Sequence, residues 1–136
     1  MIKLEKKESI YFLTMDAEEN RWNTTFVREI AEALDTIEND EGPGALITSS
    51  TNPKFFSNGL DLDWMQDPES HPKGGDREVF GEEFMYLMGR FITLPIPTIC
   101  AINGHTFGAG FMFALSHDVR IMREDRGFMC ANEMQL

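Results

Sequence analysis

The residues best suited to chemistry in this sequence are glycines. They sit in two segments, Lys54-Phe55-Phe56-Ser57-Asn58-Gly59-Leu60-Asp61-Leu62 and Asn103-Gly104-His105-Thr106-Phe107-Gly108-Ala109-Gly110. Each follows a short apolar run and precedes a helical pattern. At a strand-to-helix junction the backbone N–H groups have no intrahelical partner. Two such junctions facing each other would hold one developing negative oxygen, in an oxyanion hole whose donors need no particular side chains. Taken alone, Gly104, Gly108 and Gly110 are better explained by close packing of a helix against a strand. The recurrence of Asn58-Gly59 at the same kind of junction favours the chemical reading.

Other chemistries find less support. The spacing G-x3-G-x-G is neither a dinucleotide fingerprint nor a P-loop, and no phosphate lysine accompanies it. His71, His105 and His117 lack metal-ligand spacing, and no metal site is expected. His105, just after a strand, reads as a local hydrogen bonder, and His117-Asp118 as a helix-end cap. No serine carries a G-x-S-x-G elbow. The nine methionines are scattered and read as core filler. Cys100 and Cys130 form no C-x-x-C pair and read as reduced thiols.

A net charge of −11 argues against nucleic-acid binding driven by phosphate neutralisation. No run of 18 apolar residues predicts a membrane span. The charged, alternating start Met1-Ile2-Lys3-Leu4-Glu5-Lys6-Lys7-Glu8 does not resemble a signal peptide. A cytoplasmic location is therefore expected, with the peroxisome left open. Asn23-Thr24-Thr25 matches a glycosylation sequon and is read as a chance match beside a helix start.

The elements that must position the glycines follow from periodicity. Ile2–Lys7 and Ile10–Met15 read as a hairpin. Asn23 or Thr24 caps a helix running to about Asp40, with Phe26, Ile30, Ala33, Leu34 and Ile37 on one face. Gly42-Pro43-Gly44 stops it, and Ala45–Thr48 is a short buried strand. A short helix near Asp61–Gln66 follows the first glycine segment. Asp67 to Asp76 reads as a mobile loop with two prolines and two glycines. Asp76 is then the predicted cap of a long helix carrying Phe80, Phe84, Leu87, Met88 and Phe91, ended by Pro95 and Pro97. Thr98–Ile102 is a second buried strand. The second glycine segment opens a helix over Phe111–His117, and Val119–Arg123 is another strand. Strands alternating with helices predict an α/β layer with both sheet faces covered.

Phe56-Ser57-Asn58-Gly59-Leu60-Asp61-Leu62, Pro97-Thr98-Ile99-Cys100-Ala101-Ile102-Asn103-Gly104, Gly108-Ala109-Gly110 and Ser116-His117-Asp118, in this order, resemble the crotonase (enoyl-CoA hydratase/isomerase) superfamily. Within it the chain most resembles the Δ3,Δ2-enoyl-CoA isomerases. The resemblance implies an α/β fold of the spiral ββα type. Residues 1–136 would form one N-terminal core domain, without the C-terminal helices that in the family help to build trimers. A homotrimer or a dimer of trimers is the implied assembly of a full-length protein.

The resemblance also implies a CoA thioester as substrate, with no separate cofactor. The oxyanion donors would be the backbone N–H groups of Leu60 and Ala109, both expected in the first turn of a helix. Lys54, Phe55, Phe56, Ser57, Asn58 and Gly59 would run along the CoA, and Gly108, Gly110 and Met112 would complete the substrate contacts. Lys54 is the only basic residue close to the first segment. Hydratases of the family carry two glutamates. Met112 stands where the first is expected, a departure that speaks against water addition. Met112 and Phe113 would instead form a dry wall. The isomerases carry a single glutamate in a segment resembling Asn132-Glu133-Met134-Gln135-Leu136. Asn132 and Glu133 both fall near that position, and Glu133 is chosen because it is the carboxylate. Two alternatives stand beside the isomerase: a hydratase or other crotonase reaction with catalytic groups beyond Leu136, and a catalytically silent acyl-CoA-binding paralogue.

Overall fold

The computed structural model describes residues 1–67, 69 and 76–132. Eight strands and four helices follow one another as β1 (Ile2–Lys7), β2 (Ile10–Met15), α1 (Thr24–Glu38), β3 (Ala45–Ser50), β4 (Phe55–Ser57), α2 (Leu62–Gln66), α3 (Phe80–Thr93), β5 (Thr98–Ile102), β6 (His105–Phe107), α4 (Ala109–Leu115), β7 (Val119–Met122) and β8 (Met129–Cys130). Two sheets result. The larger has the order β1-β2-β3-β5-β7 and the smaller β4-β6-β8. Among the described residues only the β1–β2 hairpin is antiparallel; the other pairings in both sheets are parallel.

The helices follow the periodicity. Phe26, Val27, Ile30, Ala33, Leu34 and Ile37 of α1 are buried, as are Phe84, Leu87, Met88 and Phe91 of α3. They meet Tyr11, Leu13, Met15, Leu46, Cys100 and Ile102 of the larger sheet in one core. Asn23 caps α1, its side-chain oxygen accepting from the Phe26 N–H at 2.9 Å, so the sequon match lies inside a helix cap.

Four expectations are corrected. The two glycine segments do not lead straight from a strand end into a helix; each holds a short strand of its own, β4 and β6, in a second sheet. Strands of three residues are too short for any period to mark them. Among the described residues, helices cover only one face of the larger sheet. On the other, the row Phe12, Ile47, Ile99 and Val119, aligned by register, is half-buried or exposed to the described residues. Asp76 does not cap α3. That helix begins at Phe80 without a side-chain cap, while the Asp76 carboxylate accepts from the Glu78 N–H and its carbonyl from the Thr24 hydroxyl at 2.6 Å. Finally, α4 starts at Ala109 rather than Phe111 and stops before His117. The mobility expected between Asp67 and Asp76 falls on Pro68 and residues 70–75, which lie outside the described residues.

Candidate active site

Parallel pairing of β4 with β6 brings the two glycine segments side by side. The contact is close enough to exclude side chains. A Cβ on Gly59 would stand 3.0 Å from the Phe107 carbonyl oxygen and 3.9 Å from the Gly108 Cα. A Cβ on Gly104 would stand 2.1 Å from the Lys54 carbonyl oxygen, and one on Gly110 2.5 Å from the Ser57 Oγ. Gly59 and Gly108 have φ values of +82° and +51°, a region that favours glycine.

The direction of the two candidate donors follows from the planarity of the trans peptide, in which N–H and C=O point opposite ways. The Gly59 carbonyl accepts the Trp22 N–H at 2.8 Å, so the Leu60 N–H of the same peptide unit points away from Trp22. The Gly108 carbonyl accepts the Met112 N–H at 3.0 Å in the first turn of α4, so the Ala109 N–H points back out of that helix. Neither N–H has an acceptor among the described residues. Two adjacent, free, oppositely anchored backbone donors suit a carbonyl oxygen gaining negative charge.

Ala109 is the first residue of α4, as expected, but Leu60 is not in a helix. Asp61 caps α2, its Oδ1 accepting from the Trp64 N–H at 3.2 Å, and Leu60 precedes that cap in an isolated parallel bridge with Trp22. Strand-like bonding to Trp22, not a helix terminus, therefore holds the first donor.

The loop 17–23 was not singled out by the sequence, and it braces the first segment. The Asn58 N–H donates to the Glu19 carbonyl at 2.9 Å and the Asp61 N–H to the Trp22 carbonyl at 2.9 Å. Asn20, fully buried, donates to the Ser50 hydroxyl at 2.8 Å and the Phe56 carbonyl at 3.0 Å, and accepts from the Ala17 N–H. The polar run Glu19-Asn20-Arg21 gives no hydropathy signal; these long-range bonds alone define its role.

Arg21 is the second cation near the first segment, correcting the reading of Lys54 as the only one. Glu19 joins it to the site, lying 2.8 Å from Arg21 and accepting from the Asn58 amide at 2.8 Å. The Asn58 bond and then Arg21 hold the Glu19 carboxyl below its usual range. Lys54 is exposed, its Nζ 4.9 Å from the centre of the Phe55 ring. A cleft of about 690 Å³ opens beside the bracing loop, lined by Asp16, Glu18, Glu19, Asp61 and Asp63 with Arg21. Its acidic lining is unsuited to a phosphate-rich ligand.

The remaining candidates separate clearly. Phe55, Phe56, Ser57, Gly59, Gly108 and Gly110 are buried, while Lys54 is exposed and Asn58 half-buried. Met112 stands on the outer side of α4 with 38% of its surface exposed. Phe113 is no part of a wall beside it: fully buried, it packs on Trp22, Phe56, Phe91 and His117. Glu133 lies outside the described residues.

His117 caps the last turn of α4, as expected, but from inside the core. It is buried, its Nδ1 donates to the Phe113 carbonyl at 2.9 Å, and its Nε2 accepts from the Thr48 hydroxyl at 2.8 Å. Burial pushes its pKa down to about 4. Asp118 instead accepts from the Thr98 N–H at 2.8 Å, tying the end of α4 to β5. His105 is the expected hydrogen bonder, accepting from the Phe128 N–H at 3.2 Å between the rings of Phe107 and Phe128. Cys100 is buried, which pushes its thiol up to about 12, and Cys130 is exposed. Among the described residues no cluster of histidine, cysteine or carboxylate side chains could hold a metal ion.

This chain is similar to known proteins over nearly its whole length. The enoyl-CoA hydratase/isomerase family model matches residues 5–136. The peroxisomal enoyl-CoA delta isomerase 2 of Arabidopsis thaliana is 35% identical over 138 residues, covering 100% of this chain and 58% of that protein. The peroxisomal enoyl-CoA delta isomerase 1 of the same plant is 36% identical and is covered to 55% of its length. The crystal structure of an enoyl-CoA hydratase from Geobacillus kaustophilus superposes with a TM-score of 0.86 at 25% identity, over 98% of this chain and 50% of that one. The chain thus spans 50–58% of the length of these three relatives.

Proposed function

The chain belongs to the enoyl-CoA hydratase/isomerase family, and on that premise we propose that its protein moves the double bond of a 3-enoyl-CoA to the 2-position. The observation that carries the reading is the pair of adjacent backbone N–H groups, Leu60 and Ala109, both free of acceptors among the described residues. Met112, where hydratases of the family carry a glutamate, favours a reaction that adds nothing to the substrate. The similarity to two delta isomerases supports the same choice.

In this mechanism the thioester carbonyl oxygen accepts from Leu60 and Ala109, which makes the protons on C2 acidic. The carboxylate of Glu133 removes one of them. The electron pair left on C2 is delocalised through the carbonyl and the C3–C4 double bond as a dienolate. The same carboxyl returns the proton to C4, and the double bond is left between C2 and C3. One carboxylate suffices because the proton that leaves is the proton that returns. A positioned base contributes on the order of 10²–10⁴ in rate, and a hole donor about 3 kcal/mol of barrier lowering. The backbone from Lys54 to Asn58 lies along the CoA.

The test replaces Glu133 by Gln in the full chain. The amide fills the same space and cannot take the C2 proton. Acyl-CoA affinity is expected to stay within about twofold and isomerisation to fall by at least ~10². Undiminished isomerisation would assign the base elsewhere. Efficient hydration of 2-enoyl-CoA by the native protein would sink the isomerase reading, and tight acyl-CoA binding with neither reaction would make the protein a silent binder.

A further inference from the structure

Trp22 reaches both halves of the paired glycine junction. Its backbone brackets Leu60: the Trp22 N–H donates to the Gly59 carbonyl at 2.8 Å and the Trp22 carbonyl accepts the Asp61 N–H at 2.9 Å. These bonds fix the peptide planes on either side of Leu60. Its indole reaches the other half, standing edge-on to Phe113 of α4 with ring centres 5.0 Å apart. The Ala109 donor opens that same helix.

The indole cannot drift. It is fully buried and is also boxed edge-on by Phe26 at 4.9 Å and Phe84 at 5.1 Å. Its remaining freedom is removed by one polar bond, from Nε1–H to the Ser57 Oγ at 3.0 Å. Ser57 is a filled joint. Its hydroxyl donates to the Asn20 carbonyl at 2.7 Å and accepts from both the indole and the Gly59 N–H, the latter at 3.3 Å. One donor and two acceptor sites exhaust a hydroxyl. Ser57 also lies directly under Gly110 of α4.

We infer that Trp22, locked by its indole bond to Ser57, is a positioning residue that sets the aim and spacing of the Leu60 and Ala109 donors. The inference rests on the proposed function, since those donors matter only if a carbonyl oxygen sits between them. Trp22 touches no substrate atom; it acts through the two peptide units it holds. An indole N–H suits the role because a fully packed ring with one directional bond has a single orientation, whereas an aliphatic residue would leave the loop free to slide along β4. Small displacements of such a donor matter, because misplacement by about 1 Å costs on the order of 100-fold in rate.

The experiment uses the full chain with Trp22→Phe, which keeps an aromatic ring and both backbone bonds but loses the indole donor, and with Ser57→Ala, which removes the acceptor. Two readouts are taken on the native protein, both variants and the double variant. One is kcat and KM for a 3-enoyl-CoA. The other is the carbonyl stretch of bound butyryl-CoA carrying ¹³C at the thioester carbon, which reports polarisation without any reaction. Each single variant is expected to lose at least ~10-fold in kcat with KM within about twofold, and to move the bound carbonyl frequency back toward its free value. The double variant is expected to lose no more than the worse single one, because both remove the same bond. Native kcat and native carbonyl frequency in the folded variants would overturn the inference, as would lowered stability alone. Should Trp22→Phe fail to fold, Ser57→Ala decides by the same criteria. A native protein that binds butyryl-CoA without shifting its carbonyl would instead overturn the proposed function and the inference with it.

Discussion

Gly110 lies so close over Ser57 that a Cβ added to it would stand 2.5 Å from both the Cβ and the Oγ of the serine. Gly110 is the second residue of α4, and its φ is not among the positive ones. Propensity alone would favour alanine there, by up to about 1 kcal/mol. The contact reverses the sign, because an inserted methyl in a packed interface costs about 1–3 kcal/mol. Gly110→Ala is therefore expected to lower the unfolding midpoint. Ser57→Gly, which vacates the space, should recover part of that loss in the double variant even though it is harmful alone. A double-mutant cycle by chemical denaturation measures the coupling, and simple additivity would contradict the contact.

His117 predicts a pH dependence of stability. Its folded pKa of about 4 lies below the unfolded value of 6.5. Between those values the unfolded chain binds the proton and the folded one does not. The His117 contribution is therefore complete above pH 6.5 and is lost as pH falls toward 4, roughly 3 kcal/mol in all. Denaturant titrations across this range should show a shallower fall for His117→Gln than for the native protein. Parallel curves would place the charge change elsewhere.

The two thiols should differ sharply in reactivity. Cys130 is exposed, while Cys100 is buried in β5 with its thiol pushed up to about 12. Iodoacetamide at neutral pH is expected to label Cys130 in the native protein and Cys100 only after unfolding. Peptide mass spectrometry reads this directly, and early labelling of Cys100 would mean that the core opens locally.

Met112 tests the choice between isomerisation and hydration. Its side chain is 38% exposed, so Met112→Glu should change stability by less than about 1 kcal/mol. If Met112 stands beside the proposed hole, a second carboxylate there is expected to bring weak hydration of a 2-enoyl-CoA, followed by loss of absorbance of the conjugated thioester. A stable variant with no trace of hydration would show that Met112 does not face the substrate.

If CoA is held mainly by backbone, its binding should weaken only modestly with salt. Arg21 is already paired with Glu19, which leaves Lys54, among the described residues, as the cation available at the first segment. Lys54→Met is expected to lose affinity a fewfold in dilute buffer, the difference vanishing near 0.5 M salt, about where screening acts within 5 Å. Isothermal titration with a nonreactive acyl-CoA checks it, and a steep salt dependence of the variant would reveal a missed basic patch.

The amino-acid sequence alone determined the long elements. The apolar spacings of Phe26 to Ile37 and Phe84 to Phe91 specify α1 and α3, since a face that must be buried repeats every 3.6 residues wherever it packs. The motif glycines were legible too, because a chain that can accept no side chain at Gly59, Gly104 or Gly110 writes that demand as glycine. Tertiary structure decided what these residues meet. Strands of two or three residues, β4, β6 and β8, carry no period and exist only through pairing with distant partners. His117 became a buried cap, a core residue as well as a helix-end bonder, because Thr48, 69 positions away, supplies its second hydrogen bond. Leu60 came to lie in a strand-like bridge with Trp22, and Trp22 to bond Ser57, through contacts spanning some 35 residues. A hydrogen bond depends on distance and angle in space, and nothing in the local sequence of Glu19 to Trp22 encodes which strand it will meet.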